Sequence, residues 1–234
     1  MRNIAKMQRR GERRKRAAGL VLAGLACSPI LDAIVGRAFA EPAGLLASAD
    51  PQRAEAMVKK CAKCHGDGGV SDDSEIPHLA AQSASYLLKQ LQDFKADTRE
   101  GGRMNKTAKK LDDQQMADLA ALFNARELPA MPGVSAASAP ALVSGGDKAR
   151  GVDACADCHG ADGRGKRDKY DAPALAGMPL SYFVTTMQAF RDGTRGNDRD
   201  GVMREGAKAL SDAEIDTLAS YYLALGGREP APPP

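Results

Sequence analysis

The sequence predicts an all-α protein built from two tandem copies of one small domain, joined by a linker rich in Pro, Ala, Ser and Gly. Three observations carry that expectation. Blocks of residues recur at fixed displacements, apolar residues within each block repeat at helical spacing behind capping residues, and no segment alternates like a strand. Cys61, Cys64 and His65 return at Cys155, Cys158 and His159, displaced by 94. Pro77, Leu79, Tyr86 and Phe94 return at Pro173, Leu175, Tyr182 and Phe190, displaced by 96. Met104, Ala108, Lys109 and Leu111 return at Met203, Ala207, Lys208 and Leu210, displaced by 99. A displacement that holds within blocks and steps between them is what a duplicated domain with two changes of loop length leaves behind.

The elements follow in chain order. Residues 1–40 read as a secretory signal: a basic start from Arg2 to Arg16, an uncharged apolar run of 15 residues from Ala17 to Leu31, and Ala38-Phe39-Ala40 as a cleavage pattern. A spanning helix wants about 20 apolar residues, so cleavage is favoured over a retained anchor. Cys27 lies inside this segment, and Gly24-Leu25-Ala26 before it makes a poor lipoprotein box. The first domain is expected over 50–128. Asp50-Pro51 is an N-cap and first-turn pair for a helix running into the Cys61 motif. Ser83 caps a helix whose stripe is Leu87, Leu88, Leu91 and Phe94, and Asp112 or Asp113 caps a last helix with Met116, Leu119, Ala120 and Phe123 on one face. The linker is expected over 129–146 and the second domain over 147–227, where Ser211 and Glu214 form a capping box before Ile215, Leu218, Ala219 and Tyr222. Residues 228–234, ending in Pro-Ala-Pro-Pro-Pro, read as a disordered tail.

Composition narrows the function. Five Phe, five Tyr and no Trp would make a thin core in domains of this size, which ordinarily need a disulfide, a metal or a large prosthetic group as a staple. The formal charge of +3 is concentrated in residues 1–40, and the remainder holds 24 basic and 28 acidic residues, a net charge of −4. That balance argues against a nucleic-acid partner.

The chemistry lies in Cys61-Ala-Lys-Cys64-His65 and Cys155-Ala-Asp-Cys158-His159. Spacing of three puts two sulfurs on one side of a helical turn, where each forms a thioether with a vinyl group of haem, and the adjacent His turns its imidazole to the iron. A zinc site would need the two pairs close together, yet Cys64 and Cys155 are 91 positions apart. A thioredoxin-like motif would want a strand–helix–strand setting, and two disulfides would leave the repeated His without a role.

With these motifs, the chain resembles the class I diheme cytochromes c, specifically the tandem-domain cytochrome c-four family. The likeness covers nearly all of residues 50–226 and rests on the Cys-x-x-Cys-His-Gly motifs with Gly69 and Gly163 following. It rests too on the Pro-x-Leu-Ala loop, the Ser-Tyr-led helix with Phe-x4-Arg, and a Met before the last helix. The resemblance implies two class I cytochrome c domains, two covalently bound haem c groups, and His with Met on each iron. It also implies a periplasmic carrier that feeds a terminal oxidase; two haems in linked domains then suit a carrier between a quinol-oxidising complex and that oxidase in a respiratory chain, peripheral to the membrane.

For the sixth ligand, Met104 and Met203 are the methionines that recur at one register, each in an expected loop before Ala-Lys-x-Leu; core packing is the alternative. Met116 falls on a helix stripe. His78, replaced by Ala174 in the second copy, reads as loop surface, and Arg99 and Arg195 by resemblance pair with haem propionates, with surface solvation as the alternative. His/Met ligation leaves no open coordination position, which favours an electron carrier over a diheme peroxidase. An electron-accepting subunit of a periplasmic dehydrogenase would look the same in sequence. Lys59, Lys60, Lys63, Lys106, Lys109 and Lys110 crowd the first copy, where the second has Asp157 for Lys63 and Glu205 for Lys106; the expected result is a dipolar molecule with two unequal centres.

Overall fold

The computed structural model describes residues 42–129, 138–166 and 171–226. The expected signal segment, the middle of the linker and the tail lie outside the described residues. Within them the chain is helical, with one isolated bridge between Asp147 and Val152 and no named strand.

In the first half, α1 (Pro42–Ala47) precedes α2 (Pro51–His65), α3 (Ala84–Lys95), α4 (Arg103–Ala108) and α5 (Asp113–Ala125). The caps fall where the side chains dictate. Asp50 accepts from Gln52 N–H with Pro51 at the first turn, Ser83 accepts from Tyr86 N–H, and Asp112 forms a reciprocal capping box with Gln115. Helix α5 packs across α2 and α3. Val58, Leu87, Leu88, Met116, Leu119 and Phe123 form the centre of that core, with Met116 fully buried.

The second half repeats the plan with one change. It holds α6 (Ala141–Ser144), α7 (Cys155–His159), α8 (Leu180–Arg191), α9 (Val202–Lys208) and α10 (Asp212–Leu225). Ser211 and Glu214 make the expected capping box. Where the first half has the 15 residues of α2, the second carries its motif on the five of α7. Gly146, at φ 67°, turns the chain so tightly that a Cβ there would lie 2.4 Å from Val152 O. The turn is closed by Asp147 N–H to Val152 O at 2.7 Å and the reverse bond at 2.9 Å, leaving no room to start a helix earlier.

Two expectations about secondary structure need correcting. The segment 129–146 is not linker to its end, because α6 forms within it and Val143 is 1% exposed in the second core. Burying that one apolar side chain outweighs the flexible composition around it. Met104 and Met203 do not sit in loops either; each is the second residue of a short helix. In the second half Asp198 nucleates that helix by accepting from Met203 N–H and Arg204 N–H, both at 3.0 Å.

The halves meet along a polar seam. Gln82 exchanges two hydrogen bonds with Ala174, donating to its carbonyl at 2.9 Å and accepting from its N–H at 2.8 Å. Tyr182 N–H donates to Ser74 O at 2.8 Å. Two contacts are related by exchange of the halves: Arg99 Nη2 donates to Tyr182 Oη at 2.9 Å, and Arg195 Nη2 donates to Tyr86 Oη at 3.1 Å. His78 belongs to this region rather than to a free loop surface. It is half-buried, its Nδ1 accepts from Ser71 N–H at 2.9 Å, and it lies near the Gly177 carbonyl of the second half.

One buried carboxylate anchors the first half. Asp118 is 2% exposed and accepts from Arg53 Nε and Nη2 and from Asp50 N–H, all at 2.8 Å, and from Gln114 Nε2 at 3.0 Å. Burial alone would raise its pKa, but these donors win and hold it at about 2. An unfolded aspartate titrates near about 3.9, so the group contributes stability above that pH and loses it as pH falls toward 2. Asp118→Asn should cost about 2 kcal/mol in chemical denaturation at pH 7. The gap to the parent should close as the measurement moves from pH 4 down to pH 2.

Candidate functional site

Each Cys-x-x-Cys-His motif ends a helix, so that helical geometry gathers its three side chains on one turn. Gly66 and Gly160 follow the two histidines at φ 75° and 78°. A Cβ on Gly66 would lie 1.7 Å from Val70 O, so only glycine lets the chain reverse there. The reversal brings a proline carbonyl back over each ring. His65 Nδ1 lies 2.9 Å from Pro77 O, and His159 Nδ1 lies 2.9 Å from Pro173 O.

A carbonyl only accepts, so Nδ1 carries the proton in both rings and Nε2 keeps a free lone pair. Burial lowers the pKa of both imidazoles, partly offset by that same hydrogen bond. Both rings are therefore neutral Nε2 ligands in waiting. Burial raises the Cys61 and Cys155 thiols, and all four cysteines are unbridged. Among the described residues no three His, Cys, Asp or Glu side chains converge as a metal-binding group.

In the second half these groups wall a cavity of about 270 Å³. Cys155, Cys158 and His159 border it together with Met203, and Phe183, Met187, Phe190 and Leu218 supply apolar surface. Tyr222 is also on the wall, its hydroxyl buried without a hydrogen bond and its pKa raised by that burial. The structure thus brings four of the sequence-predicted residues around one space. In the first half Cys61, Cys64 and His65 share the last turn of α2, and Met104 occupies on α4 the position that Met203 holds on α9.

The seam adds groups that sequence reasoning did not single out. Gln90 is buried, and its amide oxygen faces Arg99 Nη1 at 2.6 Å, Asn197 Nδ2 at 2.9 Å and Arg195 Nη2 at 3.2 Å. Arg99 and Arg195 also lie over Phe94 and Phe190, 4.5 and 4.4 Å from the ring centroids. Among the described residues neither guanidinium pairs with a carboxylate, so two half-buried cations have neutral partners only. Their repeat at one displacement was the available signal; Gln90 and Asn197 have no matching copy and gave none.

An apolar cavity with two thiols and a neutral imidazole on one wall, a thioether sulfur on its lining and the Arg195 guanidinium at its edge fits a haem. Two such motifs in tandem helical halves define a diheme c-type cytochrome.

The sequence model for cytochrome c matches residues 52–124 and 145–225. Cytochrome c4 of Thiocapsa roseopersicina is 36% identical over 181 residues, covering 75% of this chain and 93% of that protein. The thiosulfate dehydrogenase electron acceptor of Stutzerimonas stutzeri strain A1501 is 33% identical, covering 72% of this chain and 80% of that one. Among solved structures, reduced recombinant cytochrome c4 from Pseudomonas stutzeri superposes with a TM-score of 0.66 at 34% identity, covering 76% of this chain and 99% of that one. The chain belongs to the cytochrome c family, in its tandem-domain cytochrome c4 branch. It carries two covalent haem c groups, one per half, and is an electron carrier. Replacing Cys155 and Cys158 together by Ala should halve the covalent haem per chain, measured by pyridine haemochrome against protein concentration.

Proposed function

We propose that the chain is an exported carrier whose two irons are each held between a histidine and a methionine, His65 with Met104 and His159 with Met203. The observation that carries this reading is the cavity of the second half, where Met203 shares the wall with the Cys155, Cys158 and His159 turn. Met178 and Met187 line the same space, but neither has a methionine at its repeat position, which holds Gln82 and Leu91. Met203 does. Bound haem supplies a one-electron iron couple.

The protein's own part is to hold and enclose. The Pro77 and Pro173 carbonyls orient the two imidazoles, Cys61, Cys64, Cys155 and Cys158 tether the group covalently, and the apolar wall keeps water away. His65 with Met104, and His159 with Met203, would saturate each iron and so exclude oxygen or peroxide, which favours a carrier over a peroxidase. Arg99 and Arg195 are the partners assigned to haem propionates, since a guanidinium suits a carboxylate and these two have none among the described residues.

Export follows from residues 1–40, which places the mature protein in the periplasm, with a first domain that includes α1 and a second that begins at α6. No helix among the described residues is long and apolar enough to cross a membrane. Electrons would come from a quinol-oxidising complex and leave for a terminal oxidase in a respiratory chain. A second reading makes the chain the electron-accepting partner of a periplasmic dehydrogenase, and the likeness to a thiosulfate dehydrogenase electron acceptor favours it. The exposed lysines Lys59, Lys60, Lys63, Lys106 and Lys110 of the first half, against exposed Asp157 and Glu205 of the second, give the two ends different charge for different partners.

Two measurements test these assignments. Met104→Ala or Met203→Ala should open one iron to cyanide or carbon monoxide and lower that centre's potential; an unchanged optical spectrum in both variants would remove the ligand assignment. Reduction by purified thiosulfate dehydrogenase, compared with reduction by a quinol-oxidising complex across ionic strength, separates the partners. The productive pair should slow as salt rises, and the other should not react at a comparable rate.

A further inference from the structure

The seam is reciprocal in its tyrosines and arginines but not in charge. Helix α3 sets Lys89 and Asp93 one turn apart, with Lys89 Nζ 2.5 Å from Asp93 Oδ2. The same ammonium donates to Asn197 O of the second half at 2.6 Å, and Asn197 Nδ2 donates to the same Asp93 oxygen at 2.6 Å. The Asp93 side chain is 17% exposed. Lys89, with Tyr86 and Gln90, lines the cavity of the second half although it belongs to the first.

Exchange of the halves sends Lys89 to Thr185 and Asp93 to Ala189, at the displacement of 96 shared by the tyrosines. Neither residue carries charge. The two centres therefore see the same Tyr–Arg seam, but an ion pair from the neighbouring domain sits against one and has no counterpart at the other.

We propose that the Lys89–Asp93 pair, supplied by the first domain, holds the reduction potential of the second haem by its balance of charge, so that either partner left alone would displace the electron of the half-reduced protein. This rests on the presence of haem in both halves and not on the identity of its axial ligands. Reduction adds negative charge at the iron. An ammonium beside the site favours that state, a carboxylate opposes it, and the pair balances the two. The other charged groups around this cavity stay constant in the comparison: Arg195 is held by Tyr86 and Gln90, and Asp198 is paired with Arg204 at 2.8 Å. Asp153, Asp171, Arg199 and Glu205 are likewise unaltered.

The experiment is a redox titration of the full holoprotein, with each haem followed separately by its methyl resonances in NMR. Lys89→Gln leaves Asp93 without its cation and should shift the electron away from the second haem about tenfold, a charge near the site acting through an effective dielectric well below that of water. Asp93→Asn should shift it toward the second haem by a similar factor; tenfold is about 59 mV for one electron. The double variant and Lys89→Arg, which both keep the balance of charge, should stay within about twofold of the parent, a size set by the same screening. Haem content per chain shows that each variant is folded. Single variants that shift the partition in the same direction, move both haems equally or leave it unchanged overturn the proposal, as does a displaced partition in the double variant.

Discussion

Everything in either half is arranged around a hydrogen bond of 2.9 Å between an imidazole and a proline carbonyl. The carbonyl fixes which ring nitrogen bears the proton, and so fixes which nitrogen is left to bind metal. To bring that carbonyl back, the chain must reverse within 12 residues of His65 and within 14 of His159. The glycine after each histidine permits the reversal, and the following loop then lies against the last helix of its half. The Leu79 and Leu175 N–H groups donate to Gly69 and Gly163 carbonyls at 2.8 and 2.6 Å, which pins the loop down. The ligand, the loop and the core are one constraint seen from three sides.

The seam follows a different logic. Its centre is polar: tyrosine hydroxyls, a buried glutamine and two guanidiniums that approach one amide oxygen. Like charges brought together with neutral partners are costly unless an anion answers them. Under the proposed pairing, haem propionates would answer these cations, and cofactor loading and domain docking would then reinforce one another. Two domains joined this way present their centres as a unit rather than as beads on a string.

The elements most legible in the sequence were those set by local chemistry. Asp50, Ser83, Asp112 and Ser211 cap helices because a side-chain oxygen answers a nearby N–H, a rule that needs no tertiary knowledge. The motif cysteines and histidines were legible for the same reason. What escaped was decided by distant partners. Met104 and Met203 read as loop residues because the short helices under them have few apolar positions, and for α9 the capping carboxylate, Asp198, comes five residues before the methionine. Val143 looked like linker because its burial depends on helices that come later in the chain. Gln90, Asn197 and His78 gave no repeat, because a contact across the seam, unlike the exchanged Tyr–Arg pairs, need not be made from both copies.

The shortness of α7 bears on how the molecule is made. An isolated helix of five residues does not persist in water, whereas the 15 residues of α2 bury Ala54 and Val58 against α5. The second motif therefore owes its helical turn to what surrounds it, where the first rides on a helix with packing of its own.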